Sequence, residues 1–168
     1  MPYKTVEVTT RSHRKAFHDF PRRLYRDDPN WVCPLGNEVE AVFDPARNPA
    51  LRRGDASRWI LVDEKGVVAG RIAAFIDTLR SKAYRQPTGG AGFFEVVNDK
   101  EAAFMLFDTA REWLAARGME AMDAPVNLGE NDVNWGLLVE GFMQQGFGMP
   151  YNKEYYRKFF EDYGFQNR

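Results

Sequence analysis

The stretch from Gly92 to Gly118, GFFEVVNDKEAAFMLFDTAREWLAARG, constrains the fold most, because an apolar strand runs directly into an amphipathic helix. Phe93 to Val97 is a run of aromatic and β-branched residues, the composition of a buried strand. Ala103, Leu106, Phe107, Ala110, Trp113 and Leu114 follow at the i, i+3, i+4 spacing that gathers apolar side chains on one helix face. The pattern predicts an N-cap at Asn98, closed into a capping box by Glu101, and a helix stop at Gly118. A strand that meets a helix without a loop leaves helical amides beside the strand's end, a place where anionic ligands bind.

The rest of the chain supplies a sheet for this unit. Lys4 to Thr10 alternates as a first strand, with Val6 and Val8 on one face, and Thr9, Thr10 or Ser12 can cap a helix starting near Arg11. Phe17, Phe20 and Leu24 give that helix an apolar edge, and Pro21 is expected to break or bend it, leaving Arg22 to Tyr25 as a separate turn. Arg22, Arg23 and Arg26 read as a solvated face. Asp27 to Leu51 carries Pro29, Pro34, Pro45 and Pro49, so it reads as a packed loop anchored by Trp31 and Leu35, with a short helix at Glu38 to Phe43. Trp59 to Val62 and Val67 to Ile76 form a hairpin around Glu64, Lys65 and Gly66.

Thr78 to Ala91, with Pro87, Gly89 and Gly90, reads as a mobile connection able to act as a lid. Met119 to Asn127 is the last strand, ended by Pro125, and Lys153 to Tyr163 the last helix. Between them, Trp135, Leu137, Leu138, Phe142 and Phe147 are too apolar for a surface loop and should pack over a cleft or against a partner. The order predicts a mixed α/β fold: a mostly antiparallel sheet, with a right-handed strand-helix-strand crossover from Phe93 to Asn127 that opens a cleft at its strands' carboxyl ends.

The 168 residues fit a single domain spanning 1–168, and 44% hydrophobic residues exclude disorder. The longest apolar runs fall well short of the roughly 20 residues a membrane span needs. A formal net charge of -1 offers no field for a polyanion, so neither nucleic acid nor membrane is an expected partner. The amino-terminal MPYKTVEVTTRSHRK lacks a signal-peptide core and the chain has one cysteine, which points to the cytoplasm. Cys33 is expected to be a buried free thiol. His13 and His18 with that cysteine lack zinc-site spacing, and Asn127 to Asn134 lacks a calcium-loop pattern, so no metal is expected.

The element order, together with FFEVVND, LAARGM and the closing FFEDYGF, resembles the GCN5-related N-acetyltransferase (GNAT) superfamily over most of the chain. YRDDPNWVCPL, GRIAAF, GFFEVVND, GLLVEGF and MPYNKEYY resemble, more narrowly, a bacterial GNAT-like group whose members tend to be longer and carry a second such domain. The resemblance implies transfer of an acyl group from acetyl-CoA to a small-molecule or peptide amine. It implies that the pantetheine chain pairs with the backbone of Glu95, Val96, Val97 and Asn98, and that Glu95 is the base. A buried strand flanked by Phe93, Phe94 and Val96 can raise a carboxyl pKa as a base requires. The residues alone leave open a second role for Glu95, paired with Arg71 or facing water.

Two departures from the family pattern carry consequences. The family's glycine-rich diphosphate loop is replaced by Asn98, Asp99, Lys100 and Glu101, whose carboxylates oppose a diphosphate. The position of the usual thiolate acid, a tyrosine, is Phe160, so Tyr156 or Tyr163 would have to serve; Tyr155, Tyr156, Phe159 and Phe160 also fit a core or an interface. A typical domain of this kind adds two strands after the closing Gly-Phe, whereas this sequence stops at Arg168. The expectation is an exposed last strand, met by a homodimer through Met119 to Asn127 or the last helix, or covered by the apolar segment before it. The alternative to an acyltransferase is a degenerate GNAT fold serving as a binding or assembly module.

Overall fold

The structure, a computed structural model, describes residues 2–81, 85–126, 136–143 and 149–166. Five strands form one sheet in the order β1-β2-β3-β4-β5. β1 (Lys4–Glu7), β2 (Gly54–Val62), β3 (Val68–Asp77) and β4 (Thr88–Val96) make an antiparallel meander, and β5 (Ala121–Asp123) joins β4 in parallel. Helices α1 (Arg11–Leu24), α2 (Gly36–Val42) and α3 (Pro49–Arg52) separate β1 from β2, α4 (Thr78–Ser81) follows β3, α5 (Lys100–Ala115) is the crossover, and α6 (Tyr156–Tyr163) closes the chain. The meander and the crossover stand as the hydrophobic pattern predicts. No helix among the described residues is long and apolar enough to cross a membrane.

The two faces of the sheet carry different cores. Trp59, Leu61, Ile72, Ala74, Ala91, Phe94 and Val96 pack with Leu106 and Phe107 of α5 and with Tyr156, Phe159 and Phe160 of α6. Ile60, Val62, Ala73 and Phe75 face Phe17 of α1 and Val39 and Val42 of α2. The second face also holds two buried arginines, Arg58 and Arg71. Arg58 donates to both oxygens of Glu40 at 2.5 and 2.8 Å and lies 4.1 Å from the Phe43 ring centroid, which ties α2 to the sheet.

Several local expectations are corrected. Helix α1 is continuous over 14 residues with Pro21 inside it. An interior proline costs about 3 kcal/mol because the carbonyl four residues back loses its amide donor. Here that carbonyl belongs to Phe17, and the Arg71 guanidinium donates to it at 2.9 Å. The helix cap is Thr10, whose hydroxyl accepts from the His13 amide at 3.1 Å. Thr88 to Ala91 belongs to β4 rather than to a mobile connection. Gly89 is a point of close approach, since a Cβ there would lie 2.5 Å from Leu114 Cδ2. The remainder of the expected lid falls partly on 82–84, outside the described residues.

Cys33 is exposed, not buried, with its sulfur accepting from Arg22 Nε at 3.4 Å. Leu35 is exposed and anchors nothing, whereas Trp31 stacks on Tyr25 at 5.0 Å. The last strand is three residues long, and the last helix starts at Tyr156 rather than Lys153. The apolar segment before α6 falls partly on 127–135 and 144–148, outside the described residues. Of its described parts, Leu137 packs against the core, the Asn152 side chain brackets both backbone groups of Leu138 at 2.7 and 3.0 Å, and Asn30 Nδ2 donates to Phe142 O at 3.1 Å, whereas Val139, Met143 and Met149 are exposed.

Candidate active site

A β-bulge decides where Glu95 points. Strict alternation would put Ala91, Phe93 and Glu95 on one face of β4. The register instead runs Arg71↔Glu95 and then Ala73↔Gly92, and Phe93 takes φ 51°. The extra residue shifts the phase, so Ala91, Phe94 and Val96 face α5 while Phe93 packs toward α1 and α2. Glu95 goes with Phe93 and lies beside Arg71, under the carboxyl end of α1.

Glu95 is 7% exposed, and its Oε1 accepts a hydrogen bond from the Tyr25 hydroxyl at 2.9 Å. Burial pushes its carboxyl up to about 7, against the opposing pull of the Arg71 charge and the hydroxyls of Tyr25 and Tyr156. A carboxylate with that value is part ionised near neutrality, as proton abstraction requires. Arg71 is pulled down by burial and held up chiefly by Glu95. Its guanidinium lies 4.6 Å from the Phe17 ring centroid, and its buried Nε has no hydrogen-bond partner. The sequence offered pairing with Arg71 and a role as base as separate readings of Glu95; Arg71 stands opposite it in the β3–β4 register, and the hydrogen bond its carboxylate accepts comes from Tyr25.

Beyond Ala91 the strands part. Thr88, Gly89 and Gly90 pair with β5, and the Val126 amide reaches back to Ala91 O at 2.8 Å. Val97 donates to Ala69 O of the β3 side at 3.0 Å, so Val96, one residue earlier, turns its backbone groups to the β5 side. There the Val96 amide donates to the Tyr156 hydroxyl at 2.8 Å, and the Tyr155 hydroxyl donates to Val96 O at 2.7 Å. The start of α6 thus occupies the strand edge on which an extended ligand would pair. Burial raises both phenols well above their ordinary value, keeping them protonated. Asn98 is exposed beyond the strand end.

The cap of α5 is Asp99, not the expected Asn98. Asp99 Oδ1 accepts from the Glu101 amide at 3.0 Å, while Oδ2 accepts from the Tyr3 hydroxyl at 2.5 Å. Position 99 wins because its backbone is extended there, φ -142° and ψ 114°, directly before the first helical turn. The helix amino terminus therefore holds a carboxylate of its own. Of the two tyrosines considered as thiolate acids, Tyr156 is buried against the Val96 edge and Tyr163 points away, donating to Asp108 at 2.6 Å. Phe160 is core.

The sequence reading missed Tyr25. Taking Pro21 as a break hid the fact that Tyr25 caps α1, its amide donating to Pro21 O at 2.9 Å. The hydrophobic spacing Phe17, Phe20, Leu24 carried through the proline was the signal that could have found it. Among the described residues no group of three or more His, Cys, Asp or Glu side chains could hold a metal ion.

No family model matches the chain. Protein YghO of Escherichia coli strain K12 is 36% identical over 152 residues, covering 90% of this chain and 38% of that protein. The bacterial ceramide synthase of Caulobacter vibrioides is 37% identical over 142 residues, covering 82% of this chain and 35% of that protein. The chain thus spans little more than a third of each curated relative. Among solved structures, the "predicted acetyltransferase with acetyl-CoA" of Clostridium acetobutylicum superposes over 99% of this chain and 92% of that one with TM-score 0.59 and 13% identity. A Trypanosoma brucei acetyltransferase does so over 99% and 94% with TM-score 0.53, also at 13% identity. The chain has the GNAT fold. In this GNAT-fold chain β4 and β5 part after Ala91, four residues before Glu95, with Tyr155 and Tyr156 bonded to the Val96 edge and Asp99 capping the crossover helix.

Proposed function

We propose that the protein is an N-acyltransferase that moves an acyl group from an acyl-CoA thioester, acetyl-CoA in the simplest case, to a small-molecule or peptide amine. The observation that carries this reading is the buried Glu95 carboxyl, raised to about 7, on β4 four residues past Ala91, where β4 and β5 part. Glu95 takes the proton from the acceptor ammonium, and the neutral amine forms a bond to the thioester carbonyl carbon. The carbon-sulfur bond breaks, the thiolate takes up the proton of Tyr156, whose hydroxyl accepts from the Val96 amide, and the phenolate is restored by the surplus proton on the nitrogen of the new amide. At the α5 terminus the Asp99 carboxylate satisfies the Glu101 amide and opposes a diphosphate there.

The name of the ceramide synthase relative supports the bond type, since a ceramide is a long-chain amino alcohol acylated on nitrogen. Long-chain amines therefore belong in the first acceptor panel. The setting inferred is the cytoplasm, and the unit a homodimer joined at β5, which stands at the sheet edge among the described residues.

The test is release of free thiol from acetyl- and long-chain acyl-CoA in the presence of an amine panel. Glu95→Gln should reduce the rate by roughly a hundredfold to ten-thousandfold; unchanged turnover would remove Glu95 from the chemistry. A second reading, a degenerate module without turnover, draws on the tyrosines that occupy the Val96 edge and on the Asp99 cap. Absence of both acyl-CoA binding and thiol release would select it.

A further inference from the structure

We propose that Tyr25 is a positioning residue for the Glu95 base, aiming its carboxylate by a hydrogen bond to Oε1 and favouring its ionised form. The inference rests on the reading of Glu95 as the base and assigns a role to a residue from a different element on the far side of the chain.

Four observations support it. The Tyr25 hydroxyl lies 2.9 Å from Glu95 Oε1 across 70 residues of sequence, and Tyr25 is 1% exposed. Its ring is clamped, with Trp31 stacked at 5.0 Å and 8°, Tyr151 at 6.1 Å and the Lys153 ammonium 4.9 Å from its centroid. Tyr151 is itself held by a 2.7 Å bond to Asp28, so the clamp spans the loop after α1 and the segment before α6. At the other end, the Tyr25 amide is bonded to Pro21 O, and the preceding turn of α1 presents Phe17 O to Arg71. One helix end therefore places a hydroxyl on the carboxylate and anchors the arginine beside it.

The charged and titratable groups around Glu95 are Arg71 from β3, Tyr25 from the end of α1, Tyr156 and Tyr155 from the start of α6, and Lys153 before it. Arg58 bears on Arg71, which it pulls down. Of these, Tyr25 gives Glu95 a hydrogen bond from a donor that does not contact the Val96 edge. A donor to a carboxylate stabilises its charged form. Removing the hydroxyl should push the Glu95 carboxyl above its present value of about 7.

The experiment compares Tyr25→Phe, which keeps the clamped ring, with the wild type by two readouts. Carbon NMR titration of the Glu95 carboxyl needs no turnover, and the midpoint should move up by about one pH unit. In the thiol-release assay, the acidic limb of the kcat/KM profile should move up by the same amount, with the rate recovering above the limb. Replacement of Tyr25 by 3-fluorotyrosine, a nearly isosteric and more acidic phenol, should move both midpoints down. Unmoved midpoints, with only a loss of stability, would overturn the inference. A chain that releases no thiol from any acyl-CoA while the NMR midpoint shifts would defeat the transferase reading but leave the Tyr25 contact standing.

Discussion

Glu95→Gln turns the burial of this carboxyl into a measurable stability curve. The folded-state value, about 7, lies above the ordinary 4.5. Stability tied to Glu95 is therefore fully present below the unfolded value, falls as pH rises through the window between the two, and is gone above about 7. At 1.36 kcal/mol per pH unit, the loss comes to about 3 kcal/mol. The variant has no proton to lose at this position. The variant's stability relative to wild type should therefore rise by about 3 kcal/mol between about pH 4 and about pH 8. Whatever Arg71 gains or loses from an amide neighbour enters as a constant offset, and the other carboxylates titrate alike in both proteins. Urea unfolding at a series of pH values, with midpoint and slope recorded for each protein, reads the difference directly. Parallel curves would refute the buried, destabilised carboxylate, and a difference of opposite sign would show that Arg71 and Tyr25 outweigh desolvation.

Three further outcomes are expected. Acetyl-CoA at about 100 times its dissociation constant should add about 2.7 kcal/mol, raising the melting temperature by roughly 5 to 10 °C; no shift at saturating thioester would favour the module without turnover. Tyr155→Phe removes the donor to Val96 O and should cost about 1 kcal/mol in chemical denaturation. It should also lower the KM for acyl-CoA if that carbonyl receives the donor's amide, and an unchanged KM would count against the strand edge as the binding rail. Gly54→Ala would set a Cβ 1.8 Å from the Ile76 carbonyl oxygen, a backbone atom that cannot rotate aside. A loss of 3 kcal/mol or more, on the order of the worst overpacking, should appear as a lowered midpoint in urea.

Local patterning was enough for the architecture. The 3.6-residue spacing of Ala103, Leu106, Phe107, Ala110 and Leu114 appears as the buried face of α5. Gly66 and Gly118 take the positive φ that the hairpin turn and the helix stop demand. These features were legible because each is set by neighbours within a few residues. The same local view named Glu95 but could not orient it. One extra residue at Phe93 reverses the face of everything after it, and that bulge is satisfied by contacts with Phe17, Phe43 and Phe75, far away in sequence.

Tertiary structure also overrode local rules at Pro21 and Asn98. An arginine from β3 takes the carbonyl that the proline leaves free, so a residue expected to end a helix sits inside it. Asp99 displaces Asn98 as cap, and Tyr3 from the far end of the chain holds the same carboxylate. What the sequence determined by itself was the five strands, the helices α1, α2, α5 and α6, their order and the carboxylate on β4, because propensity and periodicity act over short range. What only the folded chain decided was the company that carboxylate keeps. Tyr25, Arg71 and Tyr156 come from three separate elements, and their burial around one charge is a property of packing, to which no short window of sequence has access.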